Sequence, residues 1–177
     1  MKIRKFLRNL TLKWRIESRY ILEKKIFPNI KNKRILWVGC ASYTKDYVDI
    51  MLKNRNEVYT IDILPEMKKY GAKKHFVENI INADKIFQKN FFDIVFMTGV
   101  IGYGLNKEKD AEITMEIIYN VLKPQGILIL WWADYEPRNK IKPARLKNSA
   151  KFMRINFGRY PFGYRTKQNT IIEFYRK

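Results

Sequence analysis

The chain has one cysteine and one histidine in 177 residues. A lone cysteine excludes an internal disulfide framework, leaves no disulfide partner and suits a reducing cytoplasm. With one thiol and one imidazole, a zinc centre would need several converging carboxylates, so no metal is expected. Long apolar runs are missing too: no uncharged stretch approaches the roughly 18 residues that suggest a membrane span. The N-terminal MKIRKFLRNLTLKWRI is broken repeatedly by Lys and Arg and lacks the apolar core of a signal peptide. A cytoplasmic protein is the expectation. Repeats, low-complexity tracts and Gly/Ser linkers are also absent, and a chain of this length suits one domain with a real core.

What is abundant is positive charge. The net charge is +19, and it is unevenly spread. Residues 1–34 hold twelve Lys/Arg and two Glu, giving +10; residues 35–132 hold twelve basic and twelve acidic residues; residues 133–177 hold twelve basic and three acidic, giving +9. A neutral centre between two basic ends predicts a positive surface for an anionic partner, whether RNA, an anionic membrane surface or a charged substrate. The competing reading is solvated surface lysine.

The middle of the chain alternates apolar runs with helical patterns. RILWVGC (34–40) and FFDIVFM (91–97) are continuous apolar runs that suit strands buried on both faces. NEVYTID (56–62), KHFVENI (74–80) and ILILWW (127–132) complete a set of five. Between them, TKDYVDIMLKN (44–54) places Tyr47, Val48, Met51 and Leu52 on one stripe. KEKDAEITMEIIYNVLKPQG (107–126) does the same with Ile113, Ile117, Ile118, Val121 and Leu122, and then stops at Pro-x-Gly. LPEMKKYG (64–71) has proline near its start and glycine at its end, as a helix would. KFMRINFG (151–158) and NTIIEFYRK (169–177) read as a closing pair of strands. The pattern predicts an α/β fold: a doubly wound, mostly parallel seven-stranded sheet with an antiparallel last strand and helices on both faces. Residues 1–33 are expected to form a basic amphipathic helical extension, with Ile3, Phe6, Leu7, Leu10 and Trp14 on one face, ahead of a domain over 34–177.

Ligands of such sheets bind outside the carboxyl ends of the strands. The informative positions are therefore Gly39 to Ser42, Asp62 and Ile63, Glu78 to Ile80, and Thr98 to Ile101. Asp62 ends a hydrophobic strand about 20 residues after the first turn, where an acid can accept both hydroxyls of a ribose. The alternative is a loop aspartate that caps the next helix. The first turn, GCASYT, has one glycine, whereas a loop that cradles a pyrophosphate uses several.

Taken together, ILWVGCASYT, VYTIDI, FFDIVFMTGVIGYGL and VLKPQGILIL resemble, in order and spacing, the motifs of the class I S-adenosylmethionine-dependent methyltransferases, and TIIEFYRK looks like that family's last strand. The resemblance covers about residues 35–177 and implies a Rossmann-like methyltransferase domain over 34–177. It implies S-adenosylmethionine as cofactor, which brings no phosphate to the turn. Gly39 and Ala41 would line its methionine moiety, Asp62 its ribose and Ile63 its adenine, with Asn79 and Ile80 at the adenine edge and Thr98 and Gly99 beneath. Ala41 stands where the family keeps a second glycine, and Tyr43 is a larger departure.

Catalytic candidates are few. Asp134 and Tyr135 follow the fifth strand and Tyr103 follows the fourth; each is a weak candidate, and the leading explanation is loop polarity for Asp134 and packing for both tyrosines. His75 lies at the wrong end of its strand and Cys40 reads as a small turn residue. Three functions stay open. The first is a methyltransferase acting on a small-molecule or lipid/glycan-linked, anionic acceptor, with a possible peripheral seat at a membrane. The second is an RNA methyltransferase that uses the basic arms. The third is a cofactor-binding scaffold with a degenerate first motif.

Overall fold

The computed structural model describes residues 17–177; the stripe Ile3, Phe6, Leu7, Leu10 and Trp14 lies outside them. Among the described residues, no helix is long and apolar enough to cross a membrane. The chain enters through a short helix, α1 (Glu17–Ile21), continued by a π turn over Leu22–Ile26 and a 3-10 turn over Phe27–Asn29. There follow β1 (Arg34–Val38), α2 (Thr44–Lys53), β2 (Glu57–Asp62), β3 (Lys74–Val77), α3 (Ala83–Ile86), β4 (Phe92–Thr98), α4 (Glu108–Val121) and β5 (Leu122–Ala133). The finish is β6 (Met153–Arg154), β7 (Tyr164–Arg165) and β8 (Thr170–Arg176).

Seven strands lie on one path, in the order β3-β2-β1-β4-β5-β8-β6, and β7 also pairs with β8. The first five strands pair in parallel; β8 runs antiparallel to β5, β6 and β7. Successive side chains point to opposite faces, and here both faces are covered. Leu36 and Val38 of β1 join Val95 and Met97 of β4 in one core, roofed by α3 and α4. Ile35 and Trp37 join Ile94 and Phe96 in the other, under α2. Ile21, Leu22, Ile26, Phe27 and Ile30 belong to that second core, so the described part of the extension is packed on the sheet. Phe27 meets Tyr47, Trp37 and Phe96 edge to face at 5.2, 6.2 and 5.5 Å, the favoured geometry for aromatic pairs.

Several local expectations are corrected. Leu52 and Ile113 end up exposed, at 49% and 36%, because the buried stripes run through Tyr47, Val48 and Met51 and through Met115, Ile117, Ile118 and Val121. Residues Pro65–Tyr70 wind as a 3-10 helix; none of their side chains is buried, so no apolar face holds an α-helix there. The Leu-x-Pro-x-Gly stretch is the bulged start of β5 rather than a turn before it. Gln125 sits at φ 63°, and the amides of Gln125 and Lys177 donate to the carbonyls of Lys177 and Gly126, so the chain's end pairs with it. The segment 151–158 keeps only two strand residues, since the chain turns back at Phe157–Tyr160.

His75 takes the structural role: its Nδ1 lies 2.9 Å from the buried Thr60 hydroxyl, which also accepts from the Ala72 amide. A Cβ at Gly71 would collide with His75 Nδ1 and lie 2.6 Å from Thr60 Oγ1. Gly71→Ala is therefore expected to destabilise the fold by about 1–3 kcal/mol, the usual penalty of overpacking. Urea denaturation of the two proteins measures it, and equal midpoints would refute the clash.

Candidate active site

The order of strands reverses between β1 and β4, which opens a crevice at their carboxyl ends. The loops after β1, β2, β3 and β4 line a cleft of about 360 Å³ there. All eight expected ligand-binding positions meet in it. Gly39 and Ala41 come from the first loop and Asp62 and Ile63 from the second. Asn79 and Ile80 come from the third, Thr98 and Gly99 from the fourth.

The first turn is closed by its own hydrogen bonds. Gly39 adopts φ +78°, a left-handed conformation that glycine takes without strain, and a Cβ there would lie 3.1 Å from Val100 Cγ2. The Gly39 amide donates to the Ile61 carbonyl at 2.9 Å and the Ala41 amide to Thr44 Oγ1 at 2.9 Å. Between them, the Cys40 amide donates to Asp62 Oδ2 at 2.5 Å. Three successive amides are thus engaged within the protein. The other Asp62 oxygen, Oδ1, accepts from the Leu64 amide at 2.9 Å. Each carboxylate oxygen has about two acceptor positions, so Asp62 ties the first two loops together and retains one position on each oxygen. Beside it, Ile63 and Leu64 are 56% and 44% exposed, an apolar ledge on the rim.

Asn79 spends its side-chain oxygen on the Ile81 amide, and its own amide donates to Glu78 Oε1. The Asn79 amide, with the Asn82 side chain, holds the Glu78 carboxyl below its usual range. Thr98 Oγ1 is buried without a hydrogen-bond partner. Gly99 is also left-handed, at φ +68°, with open space where a Cβ would point. Among residues that sequence reasoning did not assign, Glu78 and Asp110 add acids to the wall. Only the place of Asp110 in the first turn of α4 could have signalled it.

A second cavity, of about 350 Å³, adjoins the cleft and shares Tyr43, Gly99 and Tyr103 with it. Tyr43 packs its ring on Tyr47 at 5.4 Å, and the Arg19 guanidinium stacks over it at 4.1 Å, so the unexpected tyrosine is a wall common to both spaces. Tyr135 reaches the second cavity, whereas Asp134 lines neither. The Asp134 carboxylate instead pairs with Lys142 at 2.5 Å and with Arg165. Burial alone would raise its pKa, but those two cations outweigh burial and hold it below the ordinary carboxylate range. Tyr103 carries the Arg138 guanidinium on its ring at 3.6 Å.

Burial, helped by the negative charge of Asp62, pushes the Cys40 thiol up to about 12. Thiolate is the reactive form, so Cys40 is expected to react with iodoacetamide at pH 8 at least about tenfold more slowly than free cysteine. Mass spectrometry of a timed reaction reads this at the chain's single cysteine. Labelling at the free-cysteine rate would contradict it. No group of three or more potential metal ligands converges among the described residues.

Known proteins share this architecture. A TehB-like S-adenosylmethionine-dependent methyltransferase from Corynebacterium glutamicum superposes with TM-score 0.64 at 17% identity, over 96% of this chain and 97% of that one. The N-methyltransferase NodS from Bradyrhizobium japonicum, solved with S-adenosyl-L-homocysteine, gives 0.65 at 13% identity over 93% and 86%. A Burkholderia thailandensis 1,6-didemethyltoxoflavin-N1-methyltransferase, with bound 1,6-didemethyltoxoflavin and S-adenosylhomocysteine, gives 0.57 at 12% identity over 99% and 89%. No curated protein matches the sequence. At these identities the structural likeness speaks for the fold. The sequence itself matches the family model of the methyltransferase domain over residues 36–130, more than half of the chain, and the chain therefore belongs to that family, the class I S-adenosylmethionine-dependent methyltransferases.

Proposed function

We propose that this enzyme transfers the methyl group of S-adenosylmethionine to a small-molecule or lipid- or glycan-linked acceptor that carries negative charge. The observation that carries the reading is the pair formed by the self-satisfied first turn and Asp62. The amides of Gly39, Cys40 and Ala41 are engaged internally, so these three are not offered to a pyrophosphate as the amides of a phosphate-binding loop are. A cofactor without phosphates needs none of them.

In this reading the two remaining acceptor positions of Asp62 take the two ribose hydroxyls, and Ile63 with Leu64 covers the adenine. Asn79 and Ile80 border its edge. Gly39 and Ala41 let the amino-acid end approach the backbone, and Thr98 and Gly99 form the floor. The bound cofactor supplies an activated methyl group on a sulfonium. The protein's part is alignment: to hold the acceptor atom in line with the methyl carbon and to keep water out. The acceptor enters through the second cavity, and Gly99, bare of a side chain at the seam, leaves room for the two ligands to meet. Tyr103 and Tyr135 then act as walls that position the acceptor. One neighbour of this fold holds S-adenosylhomocysteine together with the small molecule 1,6-didemethyltoxoflavin, the kind of acceptor this reading assigns.

The second reading, RNA methylation, draws on the basic ends: twelve Lys/Arg against three acids in residues 133–177. One experiment separates the two. The enzyme is incubated with methyl-labelled S-adenosylmethionine and a cell extract, and the label is partitioned. Label in the small anionic or lipid fraction is the expected result. Label that is lost on ribonuclease treatment gives the chain to RNA.

A further inference from the structure

We infer that the second cavity binds its acceptor as an aromatic carboxylate, and that Arg19 is the residue that reads the charge. The inference rests on the proposed function, since it places the acceptor beside the cofactor cleft.

The wall chemistry is one-sided. No Asp, Glu or His lines the cavity among the described residues, whereas Arg19 does. Arg19 joins no ion pair among the described residues, and its Nε is buried without a hydrogen-bond partner. An Nε–H withdrawn from water and left without an acceptor is unfavourable, and a ligand carboxylate is the natural complement of such a donor on a cation. Ser18, on the same turn of α1, is fully buried with an unpartnered Oγ and lines the same space. Gln168 adds donors: its Oε1 accepts from the Glu17 amide, which leaves its NH2 group over. One fixed cation flanked by a hydroxyl and an amide matches one carboxylate. A phosphate dianion would leave charge uncompensated.

The remaining walls are flat. Tyr43, Tyr103, Tyr135 and the neighbouring Trp131 and Trp132 line the cavity, and Tyr103 and Tyr135 are 51% and 44% exposed. Aromatic side chains that line a pocket suit an apolar, planar guest, which packs against them with its edge or face. Arg19 lies on the face of Tyr43, the ring that also borders the cofactor cleft. The carboxylate is therefore held near the seam where the two ligands meet.

The test uses the full chain saturated with S-adenosylhomocysteine and two probes of one shape, 2-naphthoate and 2-naphthamide, with binding read by quenching of tryptophan fluorescence. Naphthoate is expected to bind at least about tenfold more tightly than the amide, charge-assisted hydrogen bonds being roughly twice as strong as neutral ones. Arg19→Gln is expected to erase that preference and Arg19→Lys to restore part of it, each variant being read at saturating S-adenosylhomocysteine. Equal affinity for the two probes in the wild type, no binding of either, or a preference that survives Arg19→Gln would each overturn the inference. The wild-type comparison stands alone if a variant fails to fold. The preliminary S-adenosylhomocysteine titration keeps the two claims apart: without saturation the cofactor reading itself falls, whereas saturation without charge discrimination defeats only the role of Arg19.

Discussion

Asp62→Ala is expected to weaken S-adenosylmethionine binding by about a hundredfold or more. The carboxylate stands at the end of β2 with one acceptor position left on each oxygen, and a hydrogen bond to a charged group contributes about 1.5–3 kcal/mol. Two such bonds to the ribose amount to about 3 kcal/mol at the lower end, and each 1.4 kcal/mol is a factor of ten in affinity. The same substitution releases the Cys40 and Leu64 amides, so the turn loses its brace as well as its ligand contact. Asn at this position is not conservative, because its NH2 group would face one of those amides donor to donor. Calorimetric titration of the wild type and Asp62→Ala measures the loss, and thermal melts without ligand report how much belongs to the fold. An unchanged affinity would remove Asp62 from the site.

The second large effect is on stability. Glu173 sits in the middle of β8, only 3% exposed, with the Tyr175 hydroxyl donating to it at 2.8 Å. Burial pushes its carboxyl up to about 7, and the Tyr175 bond offsets only part of that shift. The sign follows from linkage. Between the usual value near 4.5 and about 7 the folded chain keeps the proton and the unfolded chain has lost it, so raising the pH favours unfolding. Below 4.5 the group is neutral in both states; above 7 the penalty is complete, at about 3 kcal/mol. Glu173→Gln keeps an acceptor for Tyr175 and removes the charge. It is expected to gain stability over the wild type progressively from pH 5 to pH 8, by up to about 3 kcal/mol. Urea denaturation at the two pH values reads the difference, and a constant gap between the two proteins would contradict it.

Much of this molecule was legible in its residues. The strands over 34–38, 57–62 and 92–98 are apolar on both faces because the sheet is covered on both, and that pattern survives in a single sequence. The eight cleft positions were legible for a topological reason: parallel strands deliver every loop that follows them to one rim. Less accessible was everything that depends on long-range contacts. Glu173 is the one acid in NTIIEFYRK, and nothing local to it announces that tertiary packing buries it. Asp134 looked like a free acid beyond a strand, but Lys142 and Arg165 reach it from segments whose approach no local pattern announces. Arg19 and Ser18 lay within a basic amphipathic segment, where one arginine is like any other; only the folded chain sets them against the second cavity. Tyr43 stood out in the first turn as a departure from the family's motif. The structure makes it the shared wall, propped by Tyr47 and Arg19.

The central claim is that a one-glycine turn with three successive amides already engaged, facing Asp62, selects a cofactor without phosphates. Calorimetric titration of the wild-type protein with S-adenosylmethionine and, separately, with NAD+ tests it most directly. The account predicts saturable binding of S-adenosylmethionine and no detectable heat with NAD+. Saturation by NAD+, or none by S-adenosylmethionine, would contradict it.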